Sequence, residues 1–283
     1  MGQAAIEVRQ QIARYTSVEL DRRAHRDARV VTLLEVDVTR ARRALRHSSR
    51  NARVPLSLVS WIAKRVVADA PHPATVTLMI ERNVDGDGVT VPFRIDGAQS
   101  RTVADIEREI GRIRASQVGS TDLLRELRPG PGRLMREAFL RMLPGALRRR
   151  VSRRIVRRAA DRACHAALSR TFVVDRASGT RMRHVIITAG GMGGRIRGWF
   201  IPRAIGAPCI GIGAVANQGV VLNGRIEPRQ ILSLTVVANR RAINPGDASR
   251  WIGSLVRGME RGADLPVGPQ YGLPVNTPVG APG

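Results

Sequence analysis

Few side chains of this sequence could serve as a nucleophile or as a base near neutral pH. The chain has five histidines and two cysteines, Cys164 and Cys209. Neither cysteine has a second cysteine close to it in sequence, so the spacing of a metal site is missing and we expect no metal ligands. A disulfide between the two stays open, although nothing favours it. His165 follows Cys164 on a predicted helix, where neighbouring side chains point apart, so we expect no catalytic dyad there.

His184 and Thr188 lie on one predicted strand. Side chains alternate along a strand, so these two, four residues apart, point to the same face at a separation of about 13 Å. That distance is too long for direct proton transfer within one subunit. We therefore interpret His184 as a strand histidine satisfied by a hydrogen bond, and only secondarily as a candidate base. His25, His47 and His72 are interpreted as surface or turn residues.

The chain is strongly basic, with a formal net charge of +24. Such a balance favours an anionic partner: nucleic acid, an anionic membrane surface, an acidic protein or a phosphate-rich cofactor. Its only lysine is Lys64. Near-total use of arginine is typical of a GC-rich genome, so codon bias and solubility are the favoured explanation of the charge, and an anionic partner is the alternative.

Basic residues are densest in a predicted amphipathic helix that reaches residue 162 from about residue 148. Its arginines form either a solvated face or a docking surface for an acidic protein or a membrane. Nucleic acid is disfavoured, because no aromatic platform accompanies the charge. The predicted docking residues are Arg153, Arg154, Arg157 and Arg158.

The length of the chain, 283 residues, suits one large α/β domain. We predict that domain over residues 1–262, with a basic helical insertion at about 127–171 and a Pro/Gly-rich tail at 263–283. The N-terminus lacks the apolar core of a signal peptide, and no apolar run reaches membrane-spanning length. We expect a cytoplasmic protein without a transmembrane segment.

Hydrophobic periodicity predicts alternating helices and strands. Asp85-Gly86-Asp87-Gly88 indicates a hairpin between two of the strands, and Thr102 with Asp105 indicates a helix cap. The predicted strands cover residues 30–38, 75–81, 89–95, 184–188, 209–215 and 231–238, and the predicted helices cover 6–24, 39–47, 55–70, 102–114, 148–162 and 249–261.

Two stretches resemble a known family. Residues 232–251, LSLTVVANRRAINPGDASRW, resemble a strand that ends in D-H-R-x-x-D-G or D-H-R-x-x-N-G and is followed by small residues and an aromatic. Residues 185–193, VIITAGGMG, resemble the strand F-T-I-S-N-x-G-M-F. Both of these motifs belong to the catalytic domain of the dihydrolipoyl acyltransferases of 2-oxoacid dehydrogenase complexes. The resemblance spans most of the chain except residues 127–171 and the tail.

The resemblance implies a fold, an assembly and an activity. The fold is of the chloramphenicol acetyltransferase type, an α/β two-layer sandwich with a mixed sheet, which forms a homotrimer or a larger homo-oligomer. The site lies at the subunit interface, where coenzyme A enters from one side and an acyl-bearing thiol from the other. Thr188 falls on the family's oxyanion-binding serine, Asn244 on its Asp or Asn, and Arg240 on the histidine that acts as general base.

The arginine at position 240 leaves two functional predictions open. A guanidinium stays protonated at any relevant pH, so Arg240 cannot replace a histidine base. Either the chain is an acyltransferase that binds an anionic ligand or works by positioning, or it is a non-catalytic assembly subunit, a pseudoenzyme whose partner would be a His-bearing paralogue. Lys64 lies on a predicted helix and not in a hairpin, so we expect no lipoyl attachment site. Stand-alone members of this kind resemble those whose acyl group rides on an acidic carrier protein.

Overall fold

The structure, a computed structural model, describes residues 29–51, 55–69, 74–116, 118, 122–123, 151, 155–164, 184–189, 198–202, 208–239 and 245–265. Its strands are β1 (Arg29–Asp37), β2 (Thr75–Val84), β3 (Asp87–Ile95), β4 (His184–Thr188), β5 (Cys209–Leu222) and β6 (Arg225–Asn239). Its helices are α1 (Thr39–Asn51), α2 (Leu58–Arg65), α3 (Val103–Ala115), α4 (155–164) and α5 (Pro245–Arg261), with a short 3-10 helix at Ala98–Ser100.

The strands form one six-stranded mixed sheet in the order β1-β6-β5-β4-β2-β3. β4 is the central link, because it pairs in parallel with both β2 and β5. The remaining pairs are antiparallel. The strand predicted at 184–188 is therefore short but central in the sheet, so the residue at its carboxyl end has a fixed position.

The main core lies on one side of this sheet, here called the helix face. Alternate residues of the strands, such as Ile187 and Leu234, pack there against Trp61 of α2, Ile106 of α3 and Leu255 of α5, all five of them almost fully buried. The opposite side is here called the far face. Its smaller buried cluster, Ile186, Cys209 and Val237, includes no helical residue among those the structure describes.

Both hairpins of the sheet turn on two residues in the left-handed region. Asp85 and Gly86 have φ angles of 51° and 88°, and Asn223 and Gly224 have φ angles of 50° and 75°. Positive φ at both central positions is the geometry of a type I′ turn, which the Asp-Gly and Asn-Gly pairs favour. The first hairpin was predicted from the sequence. The second was missed, so β5 and β6 are longer than the predicted strands at 209–215 and 231–238.

The ends of the helices follow local sequence. Thr102 and Asp105 form the predicted capping box of α3. α5 begins at Pro245, where a proline suits the first turn. Beyond α5, the Trp61 indole donates to the carbonyl of Ala263 at 2.7 Å, and Leu265 is buried. The described structure thus continues past residue 262. Most of the predicted insertion at 127–171 lies outside the described residues.

Candidate functional site

Thr188 is the last residue of β4 and lies half-buried on the far face. The register places it beside Gly211 of β5, and Gly211 beside Thr235 of β6. Thr188, Gly211 and Thr235 therefore form a row across three strands, and the middle strand, β5, has no side chain in that row. The pairing of β4 with β5 fixes the backbone of Thr188, which suits a group that must donate a hydrogen bond in a fixed direction.

Two glycines of β5 let another segment of the chain cross the far face. A side chain at Gly211 would overlap the carbonyl oxygen of Phe200 and would lie 2.8 Å from Cδ of Pro202. One at Gly213 would lie 2.5 Å from the carbonyl oxygen of Gly198. Residues 198–202 thus run directly over β5. The indole of Trp199 reaches on to β1, where it donates to the carbonyl of Leu34 at 3.1 Å.

The far face also holds buried hydroxyl groups. Thr77 shares a hydrogen bond of 2.7 Å with Nε2 of His184. Thr235 is fully buried, yet its Oγ1 has no hydrogen-bond partner. The first contact confirms that His184 is a hydrogen-bonded strand histidine. The second leaves an unsatisfied hydroxyl two strands away from Thr188.

The two cysteines are poor nucleophiles. Burial raises the pKa of Cys209 to about 12. Burial, with a smaller effect from Asp161, raises the pKa of Cys164 to about 11. Since the thiolate is the reactive form of cysteine, neither side chain is suited to covalent catalysis near neutral pH. Both thiols are free.

The remaining predicted site residues have different outcomes. Arg240, Asn244, Arg153 and Arg154 lie outside the described residues. Arg157 and Arg158 are exposed on α4. Nη2 of Arg157 lies 4.0 Å from a carboxylate oxygen of Asp87, so its charge is partly met within the chain.

Large apolar side chains are exposed on the far face. They lie on β1 and on the segment that crosses the far face, and they are Val31, Leu33, Trp199, Phe200 and Ile201. Contiguous exposed apolar surface is typical of a site of contact with another molecule. This feature was not apparent from the sequence, because it depends on residues 198–202 lying over the sheet.

No group of three or more histidine, cysteine, aspartate or glutamate side chains in the described part of the chain is placed to hold a metal ion. None of the helices that the structure describes combines the length and the apolar composition needed to cross a membrane.

Comparisons with known proteins bear on the fold. No family model and no curated protein matches the sequence. Among solved structures, a probable dihydrolipoamide acetyltransferase from Listeria monocytogenes 4b F2365 is 14% identical, over 90% of this chain and 92% of that one, with a TM-score of 0.52. The cubic core of the pyruvate dehydrogenase multienzyme complex is 13% identical over 88% of both chains, with a TM-score of 0.51.

A third similar structure is that of the dihydrolipoamide acetyltransferase of Azotobacter vinelandii. It is 14% identical over 88% of both chains, with a TM-score of 0.50. A serine, a histidine and an asparagine of that enzyme were investigated for their role in its catalytic mechanism, and they lie 52 and 4 positions apart in sequence. The predicted fold class, an α/β sandwich with a mixed sheet, is confirmed: the chain has the fold of dihydrolipoamide acetyltransferase catalytic cores.

Proposed function

We propose that this chain is an acyltransferase-like protein that moves an acyl group between coenzyme A, or a carrier-protein thioester, and another thiol. One observation carries the proposal. Thr188, Arg240 and Asn244 are separated by 52 and 4 positions, the same separations as those of the serine, histidine and asparagine of the Azotobacter enzyme. A shared fold with shared spacing supports the same placement of the three side chains.

The reaction would be a thioester exchange. The thiolate of the acceptor attacks the carbonyl carbon of the acyl thioester, a new carbon–sulfur bond forms, and the old one breaks to release coenzyme A as a thiolate. The proton lost by the acceptor goes to that leaving thiolate. Thr188 would donate its hydroxyl hydrogen to the oxyanion of the tetrahedral intermediate, where one such donor contributes about 10²–10³ in rate.

Arg240 would change how the acceptor is activated. A guanidinium cannot accept a proton, but it stabilises a nearby thiolate and lowers the pKa of that thiol. Without a positioned base, the rate should be about 10²–10⁴ below that of a histidine enzyme. The acyl carrier would be coenzyme A itself or an acidic carrier protein, which would dock on Arg157 and Arg158 of α4 and on Arg153 and Arg154, which precede them in sequence.

The proposed site would be shared between two subunits of a homo-oligomer. By register, Thr188 is level with Thr235, whereas β6 ends four residues further on, at Asn239. At about 3.3 Å per residue and 4.8 Å per strand, Thr188 and Asn239 of one chain are about 16 Å apart. A second chain that covers the exposed apolar surface of the far face would supply its own Arg240 at Thr188.

The direct test is to restore the histidine. Arg240→His should raise acetyl transfer from acetyl-coenzyme A to dihydrolipoamide, followed by mass spectrometry, by about 10²–10⁴. Thr188→Val in that background should remove about 10²–10³ of the rate. Thr32→Val is the matched control, because Thr32 is a half-buried strand threonine on the helix face, and it should leave the rate unchanged. The proposal fails if Arg240→His gives no transfer and calorimetry detects no coenzyme A binding at millimolar concentration.

The second candidate is a non-catalytic assembly subunit, and Arg240 is the observation that favours it. In that case Arg240→His would leave both activity and assembly unchanged, while Arg240→Glu would disrupt the oligomer in sedimentation experiments. A rate in the unaltered protein that depends on Thr188 would rule this candidate out.

A further inference from the structure

α5 begins at the residue that follows a predicted site residue. Asn244 directly precedes Pro245, which is the first residue of α5. Any movement of the start of α5 therefore moves Asn244 with it. The direction of α5 also limits where Arg240, five positions ahead of Pro245, can lie.

The apolar contacts of α5 lie away from its start. Its buried side chains are Leu255 and Met259, Trp251 is partly buried, and residues 245–250 are exposed or half-buried. At 1.5 Å per residue, Pro245 is about 21 Å from Met259, so a tilt of about 5° around Met259 would move Pro245 by about 2 Å. The tilt of α5 therefore has a large effect at the end that leads to Asn244.

A buried arginine joins α5 to α2. Arg65, the last residue of α2, is 7% exposed. Its Nη1 donates to Oδ2 of Asp264 at 2.7 Å, and its Nη2 donates to Oδ2 of Asp69 at 2.5 Å. The same oxygen of Asp69 accepts a hydrogen bond of 2.6 Å from Oγ of Ser254 on α5. These four residues, here called the clamp, connect α2 to the middle of α5 and to the turn that follows α5.

The clamp is charged and rigid. Burial alone would lower the pKa of Arg65, but its hydrogen bonds to Asp69 and Asp264 outweigh that effect and raise the pKa. Asp264 is held in turn, because the neighbouring carbonyl of Ala263 accepts a hydrogen bond of 2.7 Å from the indole of Trp61 on α2. Desolvation offsets much of the attraction in a buried ion pair, so such contacts fix a geometry more than they add stability.

The guanidinium of Arg65 lies directly against the backbone of α5. A Cβ at Gly258 would lie 2.6 Å from Nε of Arg65. The two carboxylates hold the guanidinium from the other side, so it has little room to move away. Gly253 of the same helix is different: a Cβ there would meet the guanidinium of Arg257, at 3.2 Å, which is the flexible end of an exposed side chain.

We propose that Arg65 is a positioning residue that sets the tilt of α5 and, through it, the placement of Asn244 and of residue 240 in the site. The inference rests on the proposed acyl transfer. Arg65 acts from the helix face, whereas Thr188 lies on the far face. A displacement of about 1 Å at a reacting group can cost about 10² in rate, and a small tilt of α5 is enough to produce it.

The test measures acetyl transfer from acetyl-coenzyme A to dihydrolipoamide in the full-length Arg240→His protein. Arg65→Lys keeps the positive charge, but an ammonium lacks the planar fork that bridges two carboxylates. It should lower kcat by about 10–10²-fold and leave KM unchanged, because only the placement of the reacting group is altered.

Two glycine variants form a matched pair in the same background. Gly258→Ala displaces the guanidinium without changing any charge, and it should lower kcat by about tenfold. Gly253→Ala makes the same chemical change in the same helix without touching the clamp, and it should leave kcat unchanged. Circular dichroism and thermal unfolding establish that each variant folds.

A double-mutant cycle separates positioning from a general loss of stability. A histidine base must reach its proton at hydrogen-bond distance, whereas a charge acts over several ångströms. Arg65→Lys should therefore cost at least about fivefold less rate when residue 240 is arginine than when it is histidine. An equal cost in the two backgrounds would overturn the proposal.

Hydrogen exchange followed by mass spectrometry supplies a readout that needs no activity. Amides of residues 245–252 should exchange about tenfold faster in Arg65→Lys and in Gly258→Ala than in Gly253→Ala, because α5 is no longer held at one tilt. Exchange in β4, which the clamp does not touch, should stay the same in all three.

The outcomes distinguish the two proposals. Absence of transfer in the Arg240→His protein would count against the acyl transfer, and hydrogen exchange would still decide whether the clamp holds α5. With transfer present, the role of Arg65 is overturned by an unchanged kcat in Arg65→Lys and Gly258→Ala, by an equal loss in Gly253→Ala, or by a raised KM at unchanged kcat. Unchanged exchange in residues 245–252 would overturn it as well.

Discussion

The two faces of the sheet are built in different ways. On the helix face, aliphatic side chains and Trp61 pack against the helices into one large buried cluster. On the far face, two glycines of β5 lie under a crossing segment, and the hydroxyls of Thr77 and Thr235 are buried. The helix face therefore supplies stability through apolar burial, whereas the far face fixes backbone and hydroxyl groups in place. The candidate site, at Thr188, belongs to the far face.

Two residues that are adjacent in sequence but lie on opposite faces should therefore differ most in how their replacement changes the free energy of unfolding. Ile187→Ala removes a fully buried side chain from the helix face and should lower the free energy of unfolding by about 2–5 kcal/mol. Thr188→Val, one residue on, should change it by less than about 1 kcal/mol. Urea denaturation followed by circular dichroism measures both. Equal losses would contradict the division of roles between the faces.

The next largest effect is expected at Gly211, because the absence of a side chain there lets the crossing segment lie against β5. Gly211→Ala would place a Cβ against the carbonyl oxygen of Phe200, and this overpacking should cost about 1–3 kcal/mol. Gly111→Ala is the control: Gly111 lies inside α3 with nothing within 4 Å of a Cβ, so the change should stabilise the protein by about 0.5–1 kcal/mol. Thermal unfolding compares the two, and a neutral Gly211→Ala would mean that residues 198–202 move aside freely.

The helix face was largely predictable from the sequence. Local sequence patterns predict strands such as 184–188 and the capping box of Thr102 and Asp105, and the structure contains both. The long β5–β6 hairpin was missed, although Asn223-Gly224 is a strong turn signal. Residues 217–222 and 225–230, which form the outer part of this hairpin, are polar or exposed on both sides, so they lack the alternation that marks a half-buried strand.

The far face was much less predictable. Thr188 was found through a resemblance, and its placement beside Gly211 comes from a strand register that no local pattern encodes. The cover provided by residues 198–202 is a contact between distant parts of the chain, so the close approach at Gly211 and Gly213 could not be read from either segment alone. His184 was interpreted correctly, but its partner, Thr77, is 107 residues away.

The smallest expected effect is a difference in stability between replacements of two threonines on the far face. Thr77 is hydrogen-bonded to His184, whereas the buried hydroxyl of Thr235 has no partner. Thr77→Val should therefore lower the free energy of unfolding by about 1 kcal/mol, since it breaks a hydrogen bond. Thr235→Val replaces an unsatisfied hydroxyl by a methyl group of similar size and should raise that free energy by about 1 kcal/mol. Chemical denaturation of both variants at one pH resolves the difference of about 2 kcal/mol. Equal destabilisation would mean that the Thr235 hydroxyl is hydrogen-bonded in solution, and the contrast between the two threonines of the far face would then be wrong.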